Sequence, residues 1–166
     1  VPEMTAQEIV LRRDGGILLV AERTRYLERR SGNSGRIYYE NQGRFLVDYY
    51  YDDLMVVSIH PSGKTHWKTI LHKKQYSQDD NGAYSSYFLF KTPSNLRFLF
   101  NDDIRQENTV SEYVLNGLGE YDRNSILSTQ DLQLRLRFRD ALQLDANELI
   151  IPSERRNKLK LVKLEY

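Results

Sequence analysis

The chain has 166 residues, 24 basic and 23 acidic side chains, and no cysteine. That length suits one domain with a modest core. The even charge gives no sign of a nucleic-acid or membrane-surface partner, the lack of cysteine excludes disulfides, thiol catalysis and cysteine-ligated zinc, and no apolar run approaches the ~18 residues of a spanning helix.

Leu, Ile, Val and Phe make up about 28% of the chain, above the range of disordered sequences. Tyrosine stands out, with 12 copies against 6 Phe and one Trp. The start, Val1-Pro2-Glu3-Met4, carries no initiator methionine, basic region or apolar leader. It predicts a processed mature protein or a fragment. The polar composition and absent cysteine predict an extracytoplasmic place: periplasmic, cell-surface or secreted.

Period-2 alternation runs along the chain and predicts strands at 8–13, 17–23, 36–40, 44–50, 54–60, 66–73, 85–91, 96–101, 110–116, 124–128, 132–139, 148–151 and 158–165. Asp14-Gly15-Gly16 reads as a hairpin turn. Asn41-Gln42-Gly43, Pro61-Ser62-Gly63-Lys64 and Thr92-Pro93-Ser94-Asn95 mark three more turns. Over 132–139, Leu132, Leu134, Leu136 and Phe138 alternate with Gln133, Arg135, Arg137 and Arg139, so strand is favoured over helix there. The fold class is all-β.

Self-similarity narrows the architecture. Val57–Gly63, shifted by 56, falls on Tyr113–Gly119. Asn95–Asn101 resembles Asn147–Ser153, and Gly16–Glu22 has the same shape. An alternative phase matches 43–48 to 96–101. The chain then reads as one all-β domain or fragment, 1–166, with units at about 7–73, 84–128 and 131–166 and an inserted hairpin at 36–50. Four antiparallel strands per ~50-residue unit are what a β-propeller blade looks like. The last of these three units lacks its fourth strand. An incomplete propeller is the expectation, and a single β-barrel of lipocalin-like size the alternative.

The runs Asp14–Glu22, Tyr50–Val57, Gly63–Trp67 with Lys74-Gln75, and Phe98–Asp102 resemble C-terminal blades of uncharacterised bacterial envelope β-propeller proteins. The resemblance covers most of the chain. It implies further blades on the N-terminal side, or self-association, because propellers close with four to eight blades. It carries no catalytic residue.

The residues offer few chemical constellations. His60, His66 and His72 are spaced too widely along strands for one metal. Asp79-Asp80-Asn81 and Asp102-Asp103 are oxygen-rich and stand as weak calcium candidates, with turn chemistry as the stronger reading. Glu22, Asp48, Asp102 and Glu154 lie at strand ends, where a polysaccharide hydrolase could hold paired carboxylates. Arg135, Arg137 and Arg139 form a basic stripe, and Arg155-Arg156 with Lys158 and Lys160 a local basic patch. Trp67 reads as packing between units.

Tyr38, Tyr39, Tyr49, Tyr50 and Tyr51 gather on the inserted hairpin, and Tyr76, Tyr84 and Tyr87 flank the 77–82 loop. Tyrosine joins apolar area to a polar tip and suits recognition surfaces. Tyr38, Tyr39, Tyr49, Tyr50, Tyr51, Tyr76 and Tyr84 are therefore the candidate surface, with sheet packing as the competing reading. The expectation is a non-enzymatic scaffold or binding module for a protein or glycan, without cofactor. The alternatives are a polysaccharide-acting propeller hydrolase and a barrel that binds a small apolar ligand.

Overall fold

Three hairpins share one turn geometry. In each, the first residue of the turn donates to the carbonyl four residues on and accepts from a glycine three residues on. The bonds are Arg12 N to Gly16 O (2.9 Å), His60 N to Lys64 O (2.8 Å) and Asn116 N to Glu120 O (3.0 Å). Gly15, Gly63 and Gly119 take φ of 84°, 83° and 84°. A type I turn closed by a glycine bulge needs that left-handed position, so glycine sets the register of the flanking strands.

The structure is a computed structural model that describes residues 3–30, 45–104 and 109–166. Its strands are β1 (Met4–Leu11), β2 (Ile17–Arg30), β3 (Phe45–Ile59), β4 (Thr65–Leu71), β5 (Gln75–Gln78), β6 (Phe88–Lys91), β7 (Asn95–Asn101), β8 (Val110–Asn116), β9 (Tyr121–Leu127), β10 (Leu142–Gln143), β11 (Glu148–Arg155) and β12 (Lys158–Glu165). They form three antiparallel sheets. The first runs β1-β2-β3-β4, with β5 also on β3; the middle one runs β6-β7-β8-β9; the third runs β10-β11-β12. The protein is all-β and blade-like, and none of these sheets closes into a barrel.

The matched segments occupy matching places. The 57–63 and 113–119 segments are each the third strand and following turn of their sheet, and 16–22, 95–101 and 147–153 each enter the second strand. The alternative phase would equate a third strand with a second one. The third sheet has three strands.

The sheets stack on one another. Val20, Leu54, Val56 and Leu71 on the first sheet's inner face pack with Leu89, Leu96, Phe98, Phe100 and Tyr113 of the middle sheet. Phe90, Leu99 and Val110 on the middle sheet's other face pack with Leu149 and Ile151 of the third. The middle sheet is thus covered on both faces. Trp67 joins the first two sheets: its ring N–H donates to Gly117 O (3.1 Å), and Thr69 Oγ1 donates to Gly119 O (2.7 Å).

Two expectations change. The 132–139 segment is not a ladder strand. A short helical turn, α1 (Thr129–Leu132), precedes it, a 3-10 turn covers Phe138–Asp140, and a single bridge joins Leu136 to Ser153. Leu134, Leu136 and Phe138 are nonetheless buried as their alternation predicts, whereas Leu132, in the helical turn, is exposed. Extended backbone gives that alternation without a ladder partner. The inserted hairpin is also not a separate unit. Residues 45–51 pair with 24–30, so β2 and β3 form one long hairpin arm. The predicted strand at 36–40 lies outside the described residues.

Candidate functional site

The arm carries the tyrosines on two faces. Directly paired residues share a face. Tyr26 faces Tyr49, and Thr24 faces Tyr51, on one side; Arg25, Tyr50 and Tyr76 align on the other. Tyr26 meets Tyr49 and Tyr51 edge-on, with ring centroids 5.5 and 6.2 Å away. The Tyr49 hydroxyl donates to Asn81 Oδ1 at 2.9 Å. Across the sheet, Arg25 lies over the Tyr50 ring at 4.4 Å, and Tyr50 packs against Tyr76 at 5.0 Å.

Asp48 anchors this second side. It is buried, and it accepts from Tyr76 Oη (2.8 Å) and Gln78 Nε2 (3.0 Å) while pairing with Arg29 Nε (2.7 Å). The Tyr76 hydroxyl bond, helped by Arg29 and opposed by burial, holds its carboxyl below the usual carboxylate value.

The candidate surface divides. Tyr49, Tyr50 and Tyr76 are partly accessible. Tyr51 and Tyr84 are buried, as is Tyr87, and they belong to the packing of the molecule. The Tyr51 hydroxyl bonds Tyr26 and Arg139, and Arg135 lies 3.7 Å over the Tyr84 ring. Burial pushes the Tyr51 phenol well above its usual range. Tyr38 and Tyr39 lie outside the described residues. Tyr26, 56% exposed, joins the surface. Its pairing with Tyr49 is invisible until the strand register is known.

The candidate carboxylates are each engaged by a cation. Glu22 is fully buried and pairs with Lys73 Nζ (2.6 Å). Asp102 pairs with Arg123 (2.5 Å) and accepts from Ser111 Oγ. Glu154 pairs with Arg137 (2.7 Å). With Asp48 held by Tyr76 and Arg29, each acid has its own partners, and Glu22 is closed to any substrate. The oxygen-rich loop is likewise engaged, partly within its own turn and partly against β3. Asp79 accepts from Val47 N, and Asp80 from Ser77 Oγ and Gly82 N. Among the described residues no three His, Asp or Glu side chains assemble as a metal site.

Glu22 belongs to a buried clasp between the first two sheets. Lys73 also donates to Tyr51 O (3.0 Å) and Gln75 Oε1 (2.9 Å), and Ser86 Oγ donates to Glu22 Oε2 (2.6 Å). Gln75 Nε2 reaches Asn101 O at 2.8 Å, and Asn101 Nδ2 donates to Tyr84 O and Leu136 O. Burial lowers the Lys73 pKa, while Glu22 works to raise it. Lys73, Gln75 and Ser86 were not candidates by sequence, because nothing local marks them as neighbours of Glu22.

A cleft of about 270 Å³ lies next to the clasp, lined by Gln7, Glu8, Ser86, Tyr87, Phe88, Leu89 and Arg139. Comparison with protein-family models, with curated proteins and with solved structures finds no match.

Proposed function

We propose that this chain is a non-enzymatic scaffold and binding module of the β-propeller type, acting in protein or glycan recognition at the bacterial envelope. One observation carries the reading: the sheet stack presents, at each end, an uncovered sheet face with exposed apolar side chains. On the first sheet, Ile9 and Leu11 are 58% and 82% exposed. They share a face with the half-buried Ile17, Leu19, Met55, Val57 and Ile70. On the third sheet, Leu142, Leu159 and Leu161 are exposed on the face that holds Ile150 and Pro152, beside Glu154 and the Lys163 pairs with Glu148 and Glu165. Twisted sheets bury such faces against further sheets.

A second copy of the chain is the occupant that fits. Each copy offers both halves of a sheet-to-sheet junction. Two copies supply six blades, within the four to eight that close a ring, through two identical junctions. Recognition then falls to the tyrosine arm, which presents Tyr26 and Tyr49 on one face and Tyr50 and Tyr76 beside Arg25 on the other.

Sedimentation velocity tests the assembly. The expected result is a dimer, converted by Leu11→Glu with Leu161→Glu to a folded monomer with an unchanged circular dichroism spectrum. A parent chain that stays monomeric at every concentration overturns closure by a second copy. For recognition, binding on a glycan or protein array that Tyr26→Ala removes supports the reading. Turnover of a bound glycan overturns the non-enzymatic part.

A further inference from the structure

The third sheet's inner face changes character along its length. β11 and β12 are joined by Arg156 and Asn157, both left-handed (φ 48° and 59°). This two-residue turn sets Arg155 opposite Lys158 and Ser153 opposite Lys160. Paired residues, and residues two apart on one strand, share a face. So Ser153, Arg155, Lys158 and Lys160 continue the face whose other half, Leu149 and Ile151, is buried in the core.

Past the core, that face borders a groove of about 200 Å³ lined by Gln133, Ser153, Arg155, Arg156, Lys158 and Lys160. Four of these six described residues carry positive charge. Ser153 sits at its floor, 2% exposed. Its Oγ accepts from Arg135 N at 2.9 Å. That bond leaves the hydroxyl proton to be donated, and the Gln133 amide adds a further donor. Sites that enclose a drug-sized ligand span roughly 300–1,000 Å³, so this groove suits a charged group on a larger molecule.

We infer that the groove is an oxyanion site, which takes the phosphate or sulfate ester group of a soluble ligand. The guanidinium fork of Arg156 matches the oxygens of such a group geometrically. Lys158 and Lys160 act as point charges, and the Ser153 hydroxyl supplies a fixed donor.

The test is a titration of the full chain with inorganic phosphate and, in parallel, inorganic sulfate at matched ionic strength, read by backbone amide chemical shifts. Saturable shifts confined to residue 133 and residues 153–160 are expected. Lys158→Gln with Lys160→Gln should weaken that binding about tenfold or more, while Lys64→Gln in the exposed turn between β3 and β4 leaves it unchanged. Arg156→Gln is a second variant for use if the double substitution disturbs the fold. Tighter phosphate than sulfate binding assigns a phosphate ester, and the reverse a sulfate ester. The proposal is overturned by absent saturation with both anions, by shifts spread equally over basic surface elsewhere, or by variants that bind like the parent.

Discussion

Lys73 shows how much one side chain carries. Its ammonium has three partners and no solvent, so its charge is tolerable only while Glu22 stays opposite. Lys73→Met should cost about 3–5 kcal/mol, because it leaves the Glu22 carboxylate buried without its cation. Adding Glu22→Gln should recover part of that loss, and urea unfolding midpoints for the two variants measure it. Asp48 gives a pH prediction. Its folded pKa lies below the usual 3.8, so the unfolded chain binds more protons in acid. Its contribution to stability is complete above that value and is lost as pH falls through the lower folded one. Asp48→Asn should therefore flatten the acid limb of a stability-against-pH curve; an unchanged limb would refute the assignment.

Among elements, the glycine turns were the most legible. A glycine in a short turn between alternating runs fixes hairpin and register without tertiary help, and the matched turns at Gly63 and Gly119 share one backbone geometry. Their surroundings differ. A Cβ on Gly63 would meet nothing within 4 Å, whereas one on Gly119 would lie 2.7 Å from the Trp67 ring. Gly63→Ala should cost only the left-handed penalty, roughly 1–2 kcal/mol. Gly119→Ala should cost distinctly more, read as a larger fall in melting temperature. Equal effects would show that Trp67 does not press on that turn. The 132–139 segment departs from its strand-like pattern for the opposite reason. Its alternation records which side chains face the core, and alternation does not report whether a neighbouring strand is there to pair.

For the whole molecule, polar clasps join the stacked sheets. Between the middle and third sheets, buried Glu112 pairs with Arg97 (2.8 Å) and accepts from Tyr166 Oη (2.6 Å), whose ring lies under Arg97. Tyr166→Phe should cost about 1–3 kcal/mol by removing a hydrogen bond to a buried carboxylate. The loss should appear in global urea unfolding if the third sheet unfolds with the rest, and as a separate early transition if it does not. The Gln143 side chain makes a similar join, donating to Lys91 O and accepting from Lys91 N at the edge of β6.

The sequence by itself determined the all-β class, the hairpin turns, the alternation of inward and outward residues and the self-similar segments. All of these are local: they follow from two-residue periodicity and from the few residues that tolerate left-handed turns. Tertiary structure decided which tyrosines are buried, which carboxylates have cations and where the basic patch faces. Those outcomes depend on contacts between residues far apart in the chain, such as Glu22 with Ser86 or Tyr84 with Glu154. The physical reason is that burial and charge pairing belong to the packed sheets, and spacing along a strand carries no record of what will be laid against it.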